Sequence, residues 1–308
     1  YLEEYFESEV IKAHMAGSAI IGTALGPYSP GSAYVLLHHY MGEVDGNVGA
    51  WGYARGGMGS ITQAMSKSLI SNGGNIKAGS AVKNILVKNN RSYGLVLENG
   101  DEIYADKIVS NLDVKRTFLK VVEKKELPSE FYTAVKNFKI RGSSGKLNIA
   151  LDDKPIWKSI PKDDPASTGD LHFTQSIEEM EGAYDDWKDG KWSTLPYVDM
   201  CIPTLNDPTM APQGKHYMSV FVQYVPYNLA DGGWTEEKRI QFGDHVMKRI
   251  GNYSTNFKDI VLHAEVRTPK ELEAEVGLTE GNIFQGELTM DQLMFNRPIP
   301  GYAQYKSP

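Results

Sequence analysis

One cysteine in 308 residues, Cys201, leaves the chain without an internal disulfide or a thiolate zinc site. Positive charge is not in surplus. The 32 basic and 39 acidic residues give a net charge of −7, so no nucleic-acid partner is expected. No apolar run approaches the roughly 18–20 residues that span a bilayer, which excludes a transmembrane helix. G-x-G-x-x-G is missing, and so is a P-loop with its lysine; the sequence as it stands has no dinucleotide-phosphate cradle of its own. The same sequence starts mid-pattern at Tyr1, and no targeting stretch is read in it. The expectations are a piece of a longer protein and a cytoplasmic location. What remains is ordinary: 41% hydrophobic and 23% charged residues are the composition of a folded globular chain, not of a disordered or collagen-like one.

Periodicity supplies the elements. Leu2, Tyr5, Phe6, Val10 and Ile11 recur at helical spacing, with acidic residues outside. Gly-Pro-Tyr-Ser-Pro-Gly at 26–31 is a turn cluster before a second helix over 33–41. Gly56-Gly57-Met58-Gly59 opens a helix over 60–70 that Gly73-Gly74 closes. Strands are predicted at 75–78, 81–88 and 92–98, with Asn99-Gly100 as the hairpin turn, and a buried strand at 105–111. Helices follow at 114–122 and 128–138, strands at 146–151, 171–174, 197–202 and 216–224, and a long amphipathic helix at 234–250. Thr268-Pro269-Lys270-Glu271 is a capped helix start. The stretches 161–170 and 178–189 read as solvated loops. This irregular alternation fits an α/β or α+β fold.

Candidate chemistry is sparse. Glycines before a helix let backbone approach a ligand and present free amides to it, yet taken alone Gly56 to Gly59 reads as a tight turn. His38-His39 lacks any neighbour at metal-ligand spacing and reads as structural or cleft-lining, and no metal is expected. Cys201 reads as an inert core residue, and the carboxylate pairs 152–153, 178–179 and 185–186 as solvated charge. Tyr217, Phe221, Tyr224 and Tyr227 would pack a sheet, or wall a pocket for a long apolar or conjugated substrate.

As an ordered set, the segments resemble one family. The run Trp51 to Gly59 is followed by its helix, then by Gly74-Asn75-Ile76, Ala81-Val82-Lys83-Asn84-Ile85, Gly94 to Gly100 and Ala105 to Asn111. Later come Gly281-Asn282-Ile283-Phe284-Gln285-Gly286, Asp291-Gln292-Leu293 and Arg297-Pro298. The set is similar to the central part of the phytoene desaturase-like, FAD-dependent oxidoreductases of the flavin amine oxidase superfamily. With Gly26 to Gly31 and Tyr34 to His39, it resembles the phytoene dehydrogenase-related branch.

The resemblance implies a mixed-sheet substrate domain with helices plus an incomplete Rossmann-like FAD domain, both terminal flavin segments being absent. Its divisions would be 1–45, a helical part of the substrate domain; 46–115, the middle of the FAD domain; 116–290, the substrate domain; and 291–308, a return towards the FAD domain. It implies FAD as cofactor of the full-length protein, absent from or weakly held by this piece. A backbone contact to the adenine end would lie at Val82, Asn111 would sit at the same ligand edge, and Gly56, Gly57, Met58 and Gly59 would approach the flavin. His39, Tyr53 and Arg55 are the cleft candidates. The implied activity is hydride transfer from an apolar, polyene- or lipid-like small molecule to flavin, with an unknown electron acceptor. A flavin amine oxidase of a small amine and a redox-inactive lipid-binding or interaction module are the rivals. Peripheral membrane contact and a homo-oligomer stay open.

Overall fold

The computed structural model describes residues 1–162 and 164–308. Asp163, within the first stretch read as a loop, lies outside the described residues. In chain order the elements begin with α1 (Glu9–Ile20), α2 (Ser32–His39), β1 (Glu43–Val44), β2 (Asn47–Val48) and α3 (Gly59–Ser71). A hairpin sheet follows: β3 (Val82–Lys88), β4 (Arg91–Leu97) and β5 (Glu102–Tyr104). Then come α4 (Ser129–Asn137), β6 (Ser144–Leu151), β7 (Leu171–Phe173), α5 (Ile177–Lys188), β8 (Tyr197–Cys201) and β9 (His216–Gln223). The last are α6 (Glu236–Gly251), α7 (Phe257–Ile260), β10 (Val261–Arg267) and α8 (Pro269–Val276).

The centre is a five-stranded sheet of order β10-β6-β9-β8-β7, antiparallel at every junction. Alternation dictates its two faces. Leu147, Ile149 and Leu151 of β6, Val198 and Met200 of β8, and Met218, Val220 and Val222 of β9 all point one way, against Phe242, Val246 and Ile250 of α6. Each such side chain, fully removed from water, contributes roughly 1.5–3 kcal/mol. A second core joins α1 to α5 through Ala13, Ala16, Met180, Ala183 and Trp187, and closes on Tyr197 and Tyr224 at one end of the sheet. Gln223 fastens that end: its amide donates to the Ile20 carbonyl at 2.7 Å and accepts from the Gly22 N–H at 2.8 Å. No helix among the described residues is long and apolar enough to cross a membrane.

Several expectations need correction. The opening helix is a single turn, Leu2–Glu4, and α1 starts afresh where the Ser8 hydroxyl accepts from the Ile11 N–H. The acidic stretch 178–189 is mostly helix: Ile177, Met180, Ala183 and Trp187 form a buried stripe, and Ser176 caps its start. Within it Glu179 is not solvated but pairs with the buried Arg249 of α6. Residues 75–78 form no strand, and neither do 105–111, where the Ala105 N–H still donates to the Tyr93 carbonyl of β4 at 3.1 Å but Val109 is 90% exposed. The helix expected over 114–122 is present over 114–121, but from Arg116 to Val121 its winding is the wider π type.

Candidate functional site

Opposite the apolar face, the same alternation lays out polar groups. His172 stands on β7; Tyr197, Asp199 and Cys201 on β8; Tyr217, Ser219 and Phe221 on β9; Lys146 and Asn148 on β6; and Glu265 and Arg267 on β10. Register sets them in rows. His172 faces Asp199, Asp199 faces Phe221, and Phe221 faces Lys146; in the next row Cys201, Ser219, Asn148 and Glu265 lie side by side. Cys201 is therefore half-buried on the open face, not in the core, because it shares the parity of Asp199 rather than of Val198 and Met200.

One edge of the face is a closed network. Tyr217 donates to Asn148 Oδ1 at 2.7 Å, Asn148 donates to Glu265 at 2.9 Å, and Arg267 pairs with Glu265 and Glu275. The middle is less satisfied. The Lys146 ammonium bonds the Ser219 hydroxyl and enters no ion pair among the described residues; burial lowers its pKa. Asp199 has a side chain only 17% exposed, with His172 Nδ1 3.8 Å away. Burial first, and then the charge of Asp170, push its carboxyl up to about 7 against the pull of Lys146 and His14. Burial also raises the Cys201 thiol and lowers His172, whose Nδ1 bonds the buried Tyr197 hydroxyl. His14 of α1 meets His172 edge-on at 5.0 Å, and burial lowers its pKa as well.

The loop between β2 and α3 reaches this face. Tyr53 lies beside Cys201 and donates to Asp170 Oδ1 at 3.1 Å; burial, Cys201 and Asp170 together raise its pKa. Arg55 stays near the Asp207 carboxylate, which accepts from the Gly56 N–H at 2.6 Å. His39 stands apart. Its Nδ1 is 2.9 Å from the Val35 carbonyl, its ring stacks 6.1 Å from Trp51, and Phe284 packs 6.1 Å away on another side. Of the three cleft candidates, only Tyr53 touches the polar face.

The glycine run is a turn that feeds α3, with Gly56 and Gly57 at positive φ and Met58 at the helix cap. Its Gly56 amide is already spent on Asp207, and a Cβ at Gly57 would meet Met210 at 3.1 Å, so this segment is packed against the 207–210 turn. Gly59, by contrast, has open space where a Cβ would be. Val82 fits an edge contact. The Glu98 N–H donates to the Ala81 carbonyl at 2.9 Å, which places Val82 in the non-bonded position opposite Leu97 and turns its own N–H and C=O to the outer edge of β3. Asn111 is exposed, two residues before Asp113, whose buried carboxylate accepts from the Arg116 and Thr279 amides. Between the β3–β4 hairpin, residues 108–118 and residues 297–308 runs a groove of about 1040 Å³, with Phe284 and Arg297 in its wall. Phe284 thus joins that groove to His39 and, through the ring stack, to Trp51.

Comparison with known proteins bears on this geometry. The model of the family described as flavin containing amine oxidoreductase matches residues 4–267. The chain belongs to that family. It is 37% identical over its whole length to pyridine nucleotide-disulfide oxidoreductase domain-containing protein 2 of Rattus norvegicus, covering 54% of it. It is 24% identical over 99% of its length to the zeta-carotene-forming phytoene desaturase of Myxococcus xanthus, covering 55% of that protein. The chain thus spans about half the length of these curated relatives. An oxidoreductase from Methanosarcina mazei shares the fold at a TM-score of 0.51 and 19% identity, over 82% of this chain and 52% of the other. The phytoene desaturase-like resemblance and the α/β fold with antiparallel sheets are thereby established. Sequence reasoning passed over Lys146, Asp199 and His172. Their signal was a charged or ionisable residue between buried neighbours inside predicted strands, as in Val198-Asp199-Met200.

Proposed function

We propose that the full-length protein is an FAD-dependent oxidoreductase that takes hydride from an apolar, polyene- or lipid-like substrate. The observation that carries this reading is the half-open sheet face beneath the Trp51–Gly59 loop, in a chain of the flavin containing amine oxidoreductase family. The flavin supplies a two-electron acceptor when bound, and a second acceptor would return it to the oxidised state. Among the residues present, Val82 would offer its outward backbone pair to the adenine end, and Gly59 the room for close approach. Asn111, Gly56, Gly57 and Met58 would border the same ligand rather than bond it. Tyr53 would fix one side of the substrate through its anchorage to Asp170. His39 and Trp51 would wall the passage from the groove, while Arg55 stays with Asp207.

Oxidation of a small amine calls for an enclosed aromatic cage. Trp51 is stacked on His39 and Tyr53 is tied to Asp170, so the two rings are committed to separate partners, which favours a longer substrate. The test is a visible-absorption spectrum of the purified full-length protein, followed by anaerobic titration with polyenes and with amines. A flavin spectrum bleached by polyenes or unsaturated lipids is expected. A protein that holds no flavin even after reconstitution overturns the oxidoreductase reading, and bleaching by small amines alone overturns the substrate class.

A further inference from the structure

The open face of the sheet carries an ammonium group that enters no ion pair among the described residues and whose nearest carboxyl on the sheet, Asp199, keeps its proton up to about 7. Lys146 projects from β6 and reaches diagonally to the Ser219 hydroxyl on the neighbouring β9. Ser219 is the residue opposite Cys201, and Asp199 is two positions along the same strand. The nitrogen therefore sits over the middle of the face, among a hydroxyl, a thiol and a carboxyl, with Phe221 between the Lys146 and Asp199 positions. The nearest arginine on the face, Arg267, is already taken by Glu265 and Glu275. An ammonium has three donors and no acceptor; a hydroxyl accounts for one.

The surroundings narrow the ligand. Burial holds the proton on Asp199 up to about 7 and raises the Cys201 thiol, so the groups beside Lys146 are donors as neutral pH is approached from below. A half-buried cation with no ion-pair partner, beside a hydroxyl, a thiol and a carboxyl that stays protonated up to about 7, is complementary to a group that accepts and carries one negative charge; the Asp170 carboxylate, whose charge also acts on Asp199 and Cys201, leaves room for one such charge and not two. A dianionic phosphate would call for a second cation, and no other arginine or lysine stands free on this face among the described residues. An amine would meet Lys146 as a like charge.

We propose that Lys146, with Ser219, Cys201 and Asp199 around it, is a subsite for the carboxylate of a long-chain monocarboxylic acid. The acyl chain rests on the apolar-substrate reading above; the head group is what this patch adds. Lys146 is the counter-ion, the Ser219 hydroxyl positions its ammonium, and the acyl chain extends past Cys201 towards Tyr53.

The experiment is calorimetric titration of the full-length protein with dodecanoate, dodecanol and dodecylamine, each below its micellar range. Dodecanoate is expected to bind about tenfold or more tighter than dodecanol, the difference a charge-assisted contact makes. Lys146→Met should erase that preference, Lys146→Arg should keep it, and Ser219→Ala, a milder change, should weaken it a few-fold. Equal affinity for acid and alcohol, a preference for the amine, or a preference that survives in Lys146→Met overturns the carboxylate subsite. Equal binding of all three leaves the apolar reading standing, whereas no binding of any overturns both. Flavin content is read from the spectrum of the same samples, so a failed oxidoreductase reading is distinguished from a failed head-group assignment.

Discussion

Asp199 makes one contribution to the pH dependence of this protein, opposed in sign by His14 and His172, whose burial lowers their pKa values. Its carboxyl lies at about 7 in the folded chain against an ordinary 3.8, so between those values the folded state holds a proton that the unfolded state has released. The stability this contributes is complete below the lower value, declines as pH rises, and is gone above about 7. Chemical denaturation at about pH 5 and about pH 8 should show the higher midpoint in acid from this group, and Asp199→Asn should flatten the difference. Gly17 is decided by space and not by charge. A Cβ there would stand 2.5 Å from the hydroxyl of Tyr197, which is 1% exposed and cannot retreat. Gly17→Ala should destabilise by about 1–3 kcal/mol, read as a lowered thermal midpoint. Neither residue announced itself. Asp199 acquires its character from burial, then from Asp170, Lys146 and His14, which belong to distant parts of the sequence and come together only in the folded chain.

At the scale of elements, local chemistry was legible where the pattern was clean. The capped start of α8 is present as read: the Thr268 side chain accepts from the backbone three residues on, and Glu271 reaches back to the Thr268 N–H at 2.6 Å. Because Thr268 is fully buried, Thr268→Ala should cost about 1 kcal/mol or more by urea denaturation, with Thr268→Ser close to wild type. The strand pattern of β9 held for the same reason, Val220 and Val222 alternating with Ser219 and Phe221. α5 was missed because Glu178, Glu179, Glu181, Asp185 and Asp186 hide a four-residue apolar stripe. The strand expected over 105–111 failed differently: Ile108 and Val109 have the right composition, but pairing depends on a neighbour that sequence does not supply. α3 matches its expected span, and yet none of its residues is buried, with Ile61, Met65 and Leu69 turned outward. In a chain of these 308 residues its amides should exchange with solvent faster than those of α6, which buries Phe242, Val246 and Ile250; equal protection in hydrogen exchange would contradict this.

For the whole molecule, cohesion is uneven. The five-stranded sheet, α6 and the α1–α5 pair share two adjoining cores, while residues 43–58 are almost entirely exposed around two-residue strands. Limited proteolysis of a chain of these 308 residues should nick that loop before it touches 144–151 or 216–223. The same loop carries Trp51, whose indole lies 68% exposed against the His39 ring and two residues from Tyr53, whereas Trp157 and Trp187 are below a tenth exposed. The molecule therefore contains its own optical gauge. A ligand entering the sheet face would strip water from this indole and shift its emission to the blue, a change that Trp51→Phe would silence while leaving the light from the interior tryptophans unaltered.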